Sequence, residues 1–232
     1  MLRPALPLLL ASAVACTPGA RAPAPPAPAP AADPYAACWS RDEPEACVVR
    51  TERELLAAAG GEVRREGGRL VFRGTRGGSL SLEDDATEGE RWVRYRYAGR
   101  LPAIAQHLVQ MGFYEGGGWL LVSAETTDQT QVLGPPVVAP DASRFVAASV
   151  DLEAGYDPNG IQVWSLARGF PRLEWGLDGG DGWGASDAVW IDARTVEFTR
   201  HVNDTGDPDR TRRVRTRLVL GEDGVALRPA GR

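Results

Sequence analysis

The chain has 232 residues, with 26 basic and 31 acidic side chains and a formal net charge of -5. That acidic balance argues against nucleic acid as a partner. No lysine occurs, so every basic side chain is an arginine, and only a clustering of arginines would point to an anionic ligand.

The first element in chain order is an export signal. Met1-Leu2-Arg3 is a short positive region, and Leu6 to Val14 is mostly apolar. The run is far shorter than the ~20 residues that cross a bilayer, so 1–15 is predicted as a secretory signal peptide and not as an anchoring helix. It ends in "SAVAC", small residues leading directly to Cys16. This stretch resembles the bacterial lipoprotein signal, or lipobox, with Ala13 where that signal usually carries a larger aliphatic residue. The resemblance implies that Cys16 is lipidated and becomes the mature N-terminus. Thr17, not Asp, follows it. By the sorting rule of such lipoproteins, that implies the outer membrane, with the domain facing the periplasm or the exterior.

Residues 16–33 then combine the lipidated Cys16 with a tether. "TPGARAPAPPAPAPAADP" offers almost nothing to bury, and proline holds such a chain extended at ~3 Å per residue. Once Cys16 carries lipid, Cys38 and Cys47 remain as a pair in an oxidising compartment. Closing a loop of about ten residues stabilises the fold by roughly 2–3 kcal/mol in the chain-entropy account. "CWSRDEPEAC" contains no histidine and no CxxC spacing, which excludes the usual zinc patterns. In "TERELLAAAGG", Thr51 is placed as N-cap and Glu54 completes a capping box, with Gly60 as the left-handed C-cap. Residues 34–61 are therefore expected to hold a disulfide loop and one short helix.

From 62 to 232 the pattern changes to short alternating runs broken by Gly, Pro, Asp and Asn, which is an all-β signature. The runs repeat. "WLLVSAETTDQTQVLG" (119–134) and "IQVWSLARGFPRLEWG" (161–176) share strand, polar turn, strand and closing Gly. "APDASRFVAAS" (139–149) aligns with "WIDARTVEFTR" (190–200), with Asp141 over Asp192 as turn-capping residues. Units of roughly 40–50 residues with four strands predict a small propeller-like domain, or an open fan of four-stranded antiparallel units. The expected units span 101–134, 135–177 and 187–228, with a weaker set at 62–98. "APDASRF" resembles the Ser-Pro-Asp-Gly turn of TolB-type β-propeller repeats, matching at Pro140 and Asp141 and departing at Ala139 and Ala142. The resemblance implies a binding scaffold of the cell envelope.

No nucleophile elbow, His-Glu-x-x-His or phosphate-cradling loop occurs, and the only histidines are His107 and His201. No catalytic residue, metal site or cofactor is assigned. The leading function is a non-catalytic scaffold for a protein or glycan partner, held to the membrane by its lipid. The alternative is an exported hydrolase using His201 and nearby acids. The candidate binding face comes from strand order, because alternate loops of antiparallel units emerge at one end. That places "DLEAGYDPNG", "DGGDGW" and "HVNDTGDPDR" together, with Tyr156, Asp157, Asn159, Asp178, Asp181, Trp183, Asp204, Asp207 and Asp209. Trp183, between two glycines, is the expected stacking residue for a ligand. Two arginine ladders are expected to cover solvated strand faces: Arg94 with Arg96, and Arg213, Arg215 and Arg217. The functional version of such a ladder is an anionic envelope partner.

Overall fold

A computed structural model describes residues 33–204, 207–222 and 224–231. Cys16 and the signal and tether segments lie outside the described residues.

After a 3-10 turn at Ala36–Cys38 comes one helix, α1 (Pro44–Ala58). It begins seven residues before Thr51, so Thr51 is not its N-cap. Pro44 occupies the first turn, where its missing N–H is no loss, and Cys47 in the same turn is bonded to Cys38. The disulfide therefore pins the helix start. At the other end Gly60 adopts φ 60, the left-handed conformation expected of it. Glu52 docks the helix: its Oε1 accepts from Arg65 Nη2 at 2.7 Å and from the Tyr97 main-chain N–H at 2.8 Å.

The rest is an open fan of antiparallel sheets, each built from strands consecutive in sequence. The first sheet has three strands, β1 (Val63–Glu66), β2 (Arg69–Arg73) and β3 (Ser79–Glu83). The second is β4 (Val93–Leu101), β5 (Gln106–Phe113), β6 (Gly117–Ser123) and β7 (Gln129–Val132). The third is β8 (Val137–Val138), β9 (Arg144–Ser149), β10 (Gly160–Ser165) and β11 (Arg172–Asp178). The fourth is β12 (Trp183–Asp192), β13 (Thr195–Asp204), β14 (Asp207–Gly221) and β15 (Gly224–Pro229).

The last two units match the expected periods. The strand "VRYRYAGRL" does not belong to the weak first set: it pairs with β5, from Val93↔Phe113 to Leu101↔Gln106, and opens the second sheet. Its Tyr97 and Val109 share one core, which explains the pairing. Asp141 and Asp192 cap their turns, accepting from the N–H groups of Ser143 at 3.0 Å and Arg194 at 2.7 Å.

The sheets stack in chain order. Leu70 and Phe72 of the first pack on Tyr97 and Val122 of the second. Leu121 packs with Phe145 and Trp164 across the second and third. Ile161 and Val163 pack with Trp190 and Phe198 across the third and fourth. Trp190 adds a polar stitch, donating Nε1–H to the Val137 carbonyl at 2.7 Å. No hydrophobic cluster among the described residues joins the first sheet to the fourth.

Candidate functional site

The loops β5–β6, β9–β10 and β11–β12 and the β13–β14 hairpin lock to one another at one end of the fan. The Gly117 N–H donates to Asp157 Oδ1 at 2.5 Å, joining the first loop to the second. Gly179 N–H donates to the Asn159 carbonyl at 2.9 Å, joining the second to the third. Asn203 closes the series: its Nδ2 donates to the Asp181 carbonyl at 2.8 Å and its main-chain N–H to Gly182 at 3.0 Å. Hydrogen bonds thus link the loops that strand order places together.

The loop 150–159 is built around its own polar side chains. Asp151 Oδ2 accepts from Tyr156 at 2.8 Å and Asp157 at 2.9 Å, while Oδ1 accepts from Ala154 at 3.1 Å. These N–H groups favour the charged form and hold the Asp151 carboxyl below its ordinary range. Asn159 is buried and clamps the base, its Oδ1 accepting from the Asp151 N–H at 2.5 Å. Asp178 accepts from Gly180 at 2.9 Å in the next loop. These carboxylates therefore face backbone N–H groups, not one another. Among the described residues no group of three His, Cys, Asp or Glu side chains could hold a metal ion.

Close packing fixes the junction. Gly116 has φ 77, and a Cβ there would stand 2.5 Å from Asp157 Oδ1 and 2.9 Å from the Tyr156 Cβ, so only glycine fits. The consequence is that Tyr156, 56% exposed, and Tyr114, 67% exposed, stand on adjoining rigid loops, with Phe113 beside them. Tyr114 was not among the candidates from sequence. Its signal was the Gly-rich "YEGGG" run, whose glycines allow the close approach.

Trp183 corrects the sequence reading. It is only 8% exposed, opens β12 opposite Val202, and belongs to the core between the third and fourth sheets. The Arg200 guanidinium stands 4.5 Å from its ring centroid on the remaining side. The glycine after it serves packing: a Cβ at Gly184 would meet Val150 at 2.7 Å. Asp181 and Asp204 are exposed on this end of the fan. Asp207 and Asp209 contribute backbone to β14, and their side chains lie outside the described residues.

His201 lines a recess of about 300 Å³ with Asp151, Glu153, Thr211 and Arg213. Its Nε2 lies 2.8 Å from Ser186 Oγ, which donates to Asp187 Oδ2 at 2.8 Å. Burial and the Arg213 guanidinium hold the imidazole below its ordinary value, with Asp187 opposing. Asp187 sits at φ 53, beside a register shift in β12. On its other side β12 borders an open groove of about 630 Å³, where Ser186 to Val189 face Asp33, Trp119 and Val137. The arginine ladders differ from each other. Arg215 and Arg217 both engage Glu197, in keeping with a solvated face. Arg96 is buried, 5.7 Å from the Trp39 ring centroid, because the 3-10 turn and α1 cover its strand.

The class so defined is an all-β open fan, disulfide-bonded at its N-terminal helix, with one interlocked loop face bearing exposed tyrosines. No helix among the described residues is long and apolar enough to cross a membrane. Neither a protein-family model nor a curated protein matches the chain.

Proposed function

We propose that this chain is a cell-envelope lipoprotein, lipidated on Cys16 and held at the outer membrane, whose β fan binds a protein or glycan partner through its loop face. The observation that carries the binding role is the pair Tyr114 and Tyr156, exposed on loops that hydrogen bonds hold rigid. Aromatic rings give large contact area at low entropic cost, and loops on a rigid scaffold are where recognition concentrates. The TolB-type turn at Pro140–Asp141 supports the same reading. The test is capture of isolated envelope material, protein and glycan fractions separately, by the full chain and by the Tyr114→Ala/Tyr156→Ala variant. Loss of capture by about tenfold or more is expected for aromatic hot spots. Equal capture by both chains refutes the face. For the anchor, Cys16→Ser abolishes labelling by a fatty-acid probe.

A second reading, an exported hydrolase, is favoured by the Ser186–His201 contact. The order of the chain counts against it, since the Ser186 hydroxyl donates to Asp187 and so leaves no proton for His201 to take. Labelling of Ser186 by a fluorophosphonate, lost in His201→Ala, would support it.

A further inference from the structure

We propose that residues 27–31 of the Pro/Ala tether seat in the groove between the second, third and fourth sheets, as an extended strand beside the unpaired edge of β12. The groove holds about 630 Å³, within the ordinary range of ligand pockets. Its wall is mostly apolar and rich in short side chains. Ala148, Ala185 and Ala188 leave the space, and Trp119, Val137 and Val189 flank it. The backbone of the wall is open as well. β12 stands at one end of the fourth sheet's strand order and β8 at one end of the third's, so each has an edge with no strand beside it in its own sheet. The register shift between Ser186 and Val189 also takes Asp187 and Ala188 out of the ladder with β13. Backbone N–H and C=O groups in such places take water or another strand as partner.

The occupant follows from where the chain enters. Asp33 is itself part of the groove wall. Its position is fixed, because its carboxylate accepts from the Tyr35 N–H at 2.9 Å and from Gln110 Nε2 at 3.4 Å. The residues before it therefore start at the groove, whatever path they take afterwards. Beside that entry, Gln110 Oε1 is buried and among the described residues accepts from no donor, which leaves an acceptor for an incoming N–H. The sequence of the segment suits an edge strand. From 27 to 31 it reads Ala-Pro-Ala-Pro-Ala. In an extended chain alternate residues turn their N–H groups to the same edge. Ala27, Ala29 and Ala31 can thus all donate toward β12, while Pro28 and Pro30 lie on the side where no donor is needed. The alternation breaks at Pro25-Pro26, which sets the limit of the seated stretch.

The energetics need only be modest. Alanine and proline lose almost no side-chain entropy when they are ordered. A segment joined to the wall of its own site has an effective concentration of about 1 mM, so a free-peptide Kd of about 0.1 mM would seat it roughly ten to one. Ser149 and Val150 of the same wall lead into the loop that bears Tyr156, so the seat adjoins the proposed binding face. Seating requires no lipid. With the anchor proposed above, it shortens the free tether to ten residues, 17–26, a reach of at most about 36 Å.

The experiment is amide hydrogen exchange over 185–189 in the full chain carrying Cys16→Ser. Ala27→Glu/Ala29→Glu/Ala31→Glu puts three carboxylates where the wall is apolar, and exchange there should speed up about tenfold as the seat is lost. Ala29→Pro removes one N–H without adding charge, and exchange should rise about fivefold. Ala20→Glu/Ala22→Glu/Ala24→Glu, outside the seated stretch, should leave it unchanged. Circular dichroism should be the same for all four chains, since every change lies in the tether. Equal exchange in the parent and the 27–31 variants overturns the proposal, and so does an equal rise in the 20–24 variant. Protection in the parent that disappears on dilution assigns the groove to a second copy of the chain and overturns it equally.

Discussion

Replacing Asp157 by alanine tests whether the two tyrosine-bearing loops act as one body. Asp157 Oδ1 is the acceptor for the Gly117 N–H at 2.5 Å, and Gly116 packs against the same side chain. A hydrogen bond to a charged acceptor contributes about 1.5–3 kcal/mol, and the half-buried setting of Asp157 favours the lower end. A loss of about 1.5 kcal/mol corresponds to roughly a tenfold rise in the local opening equilibrium. Amide hydrogen exchange over 113–118 should therefore speed up about tenfold at Gly117 in Asp157→Ala. Asp157→Asn retains an acceptor and should recover most of the protection. The global denaturation midpoint should move little, because the bond joins loops and not sheets. Partner capture should fall with the Gly117 protection, since Tyr114 and Tyr156 lose their fixed relation. Unchanged exchange at Gly117 in a folded Asp157→Ala chain would refute the latch and the rigid face built on it.

Three further outcomes follow from the packing. Cys47→Ser removes the Cys38–Cys47 bond and should lower stability by about 2–3 kcal/mol, seen as a melting point roughly 5–10 °C lower in a chain of this size. Trp183→Ala should destabilise by about 3–5 kcal/mol in urea titration because the ring is core; a fully stable variant would restore it as a surface ligand residue. His107, 1% exposed, has its imidazole pushed down to about 4 by burial and the Arg100 charge. The unfolded chain takes up that proton near pH 6.5 and the folded one resists, so stability is full above about 6.5 and falls as pH drops toward about 4. The gap between 6.5 and about 4 sets about 3 kcal/mol as the upper limit. His107→Gln should flatten this part of the stability–pH profile relative to the parent chain.

The fold was legible where local pattern and tertiary role agree. The alternation in 161–166 and 195–200, the Asp141 and Asp192 turns and the left-handed Gly60 were all written in neighbouring residues. The helix start was misplaced because a capping box at Thr51 is a local signal, whereas the disulfide to Cys47 and the proline at 44 act from outside that window. Strand β4 was assigned to the wrong unit because its partner is decided by which core Tyr97 joins, not by its own alternation. For the site, loop positions could be counted from strand order, so the grouping of the three loops was foreseeable. Exposure was not: glycines on both sides of Trp183 suggested a loop tip, yet Gly184 makes room for Val150 while the ring turns inward. Tyr114, next to a similar glycine run, points outward.

The open fan also has a consequence for how this chain can assemble and change. Every sheet pairs strands that are consecutive in sequence, so each can form from a contiguous stretch with little loop-closure cost. A closed ring fixes the number of its blades, because the last must meet the first. Here no core cluster among the described residues spans the first and fourth sheets. Gaining or losing a terminal unit would leave the remaining interfaces between sheets intact, so ring closure does not fix the number of units in this architecture.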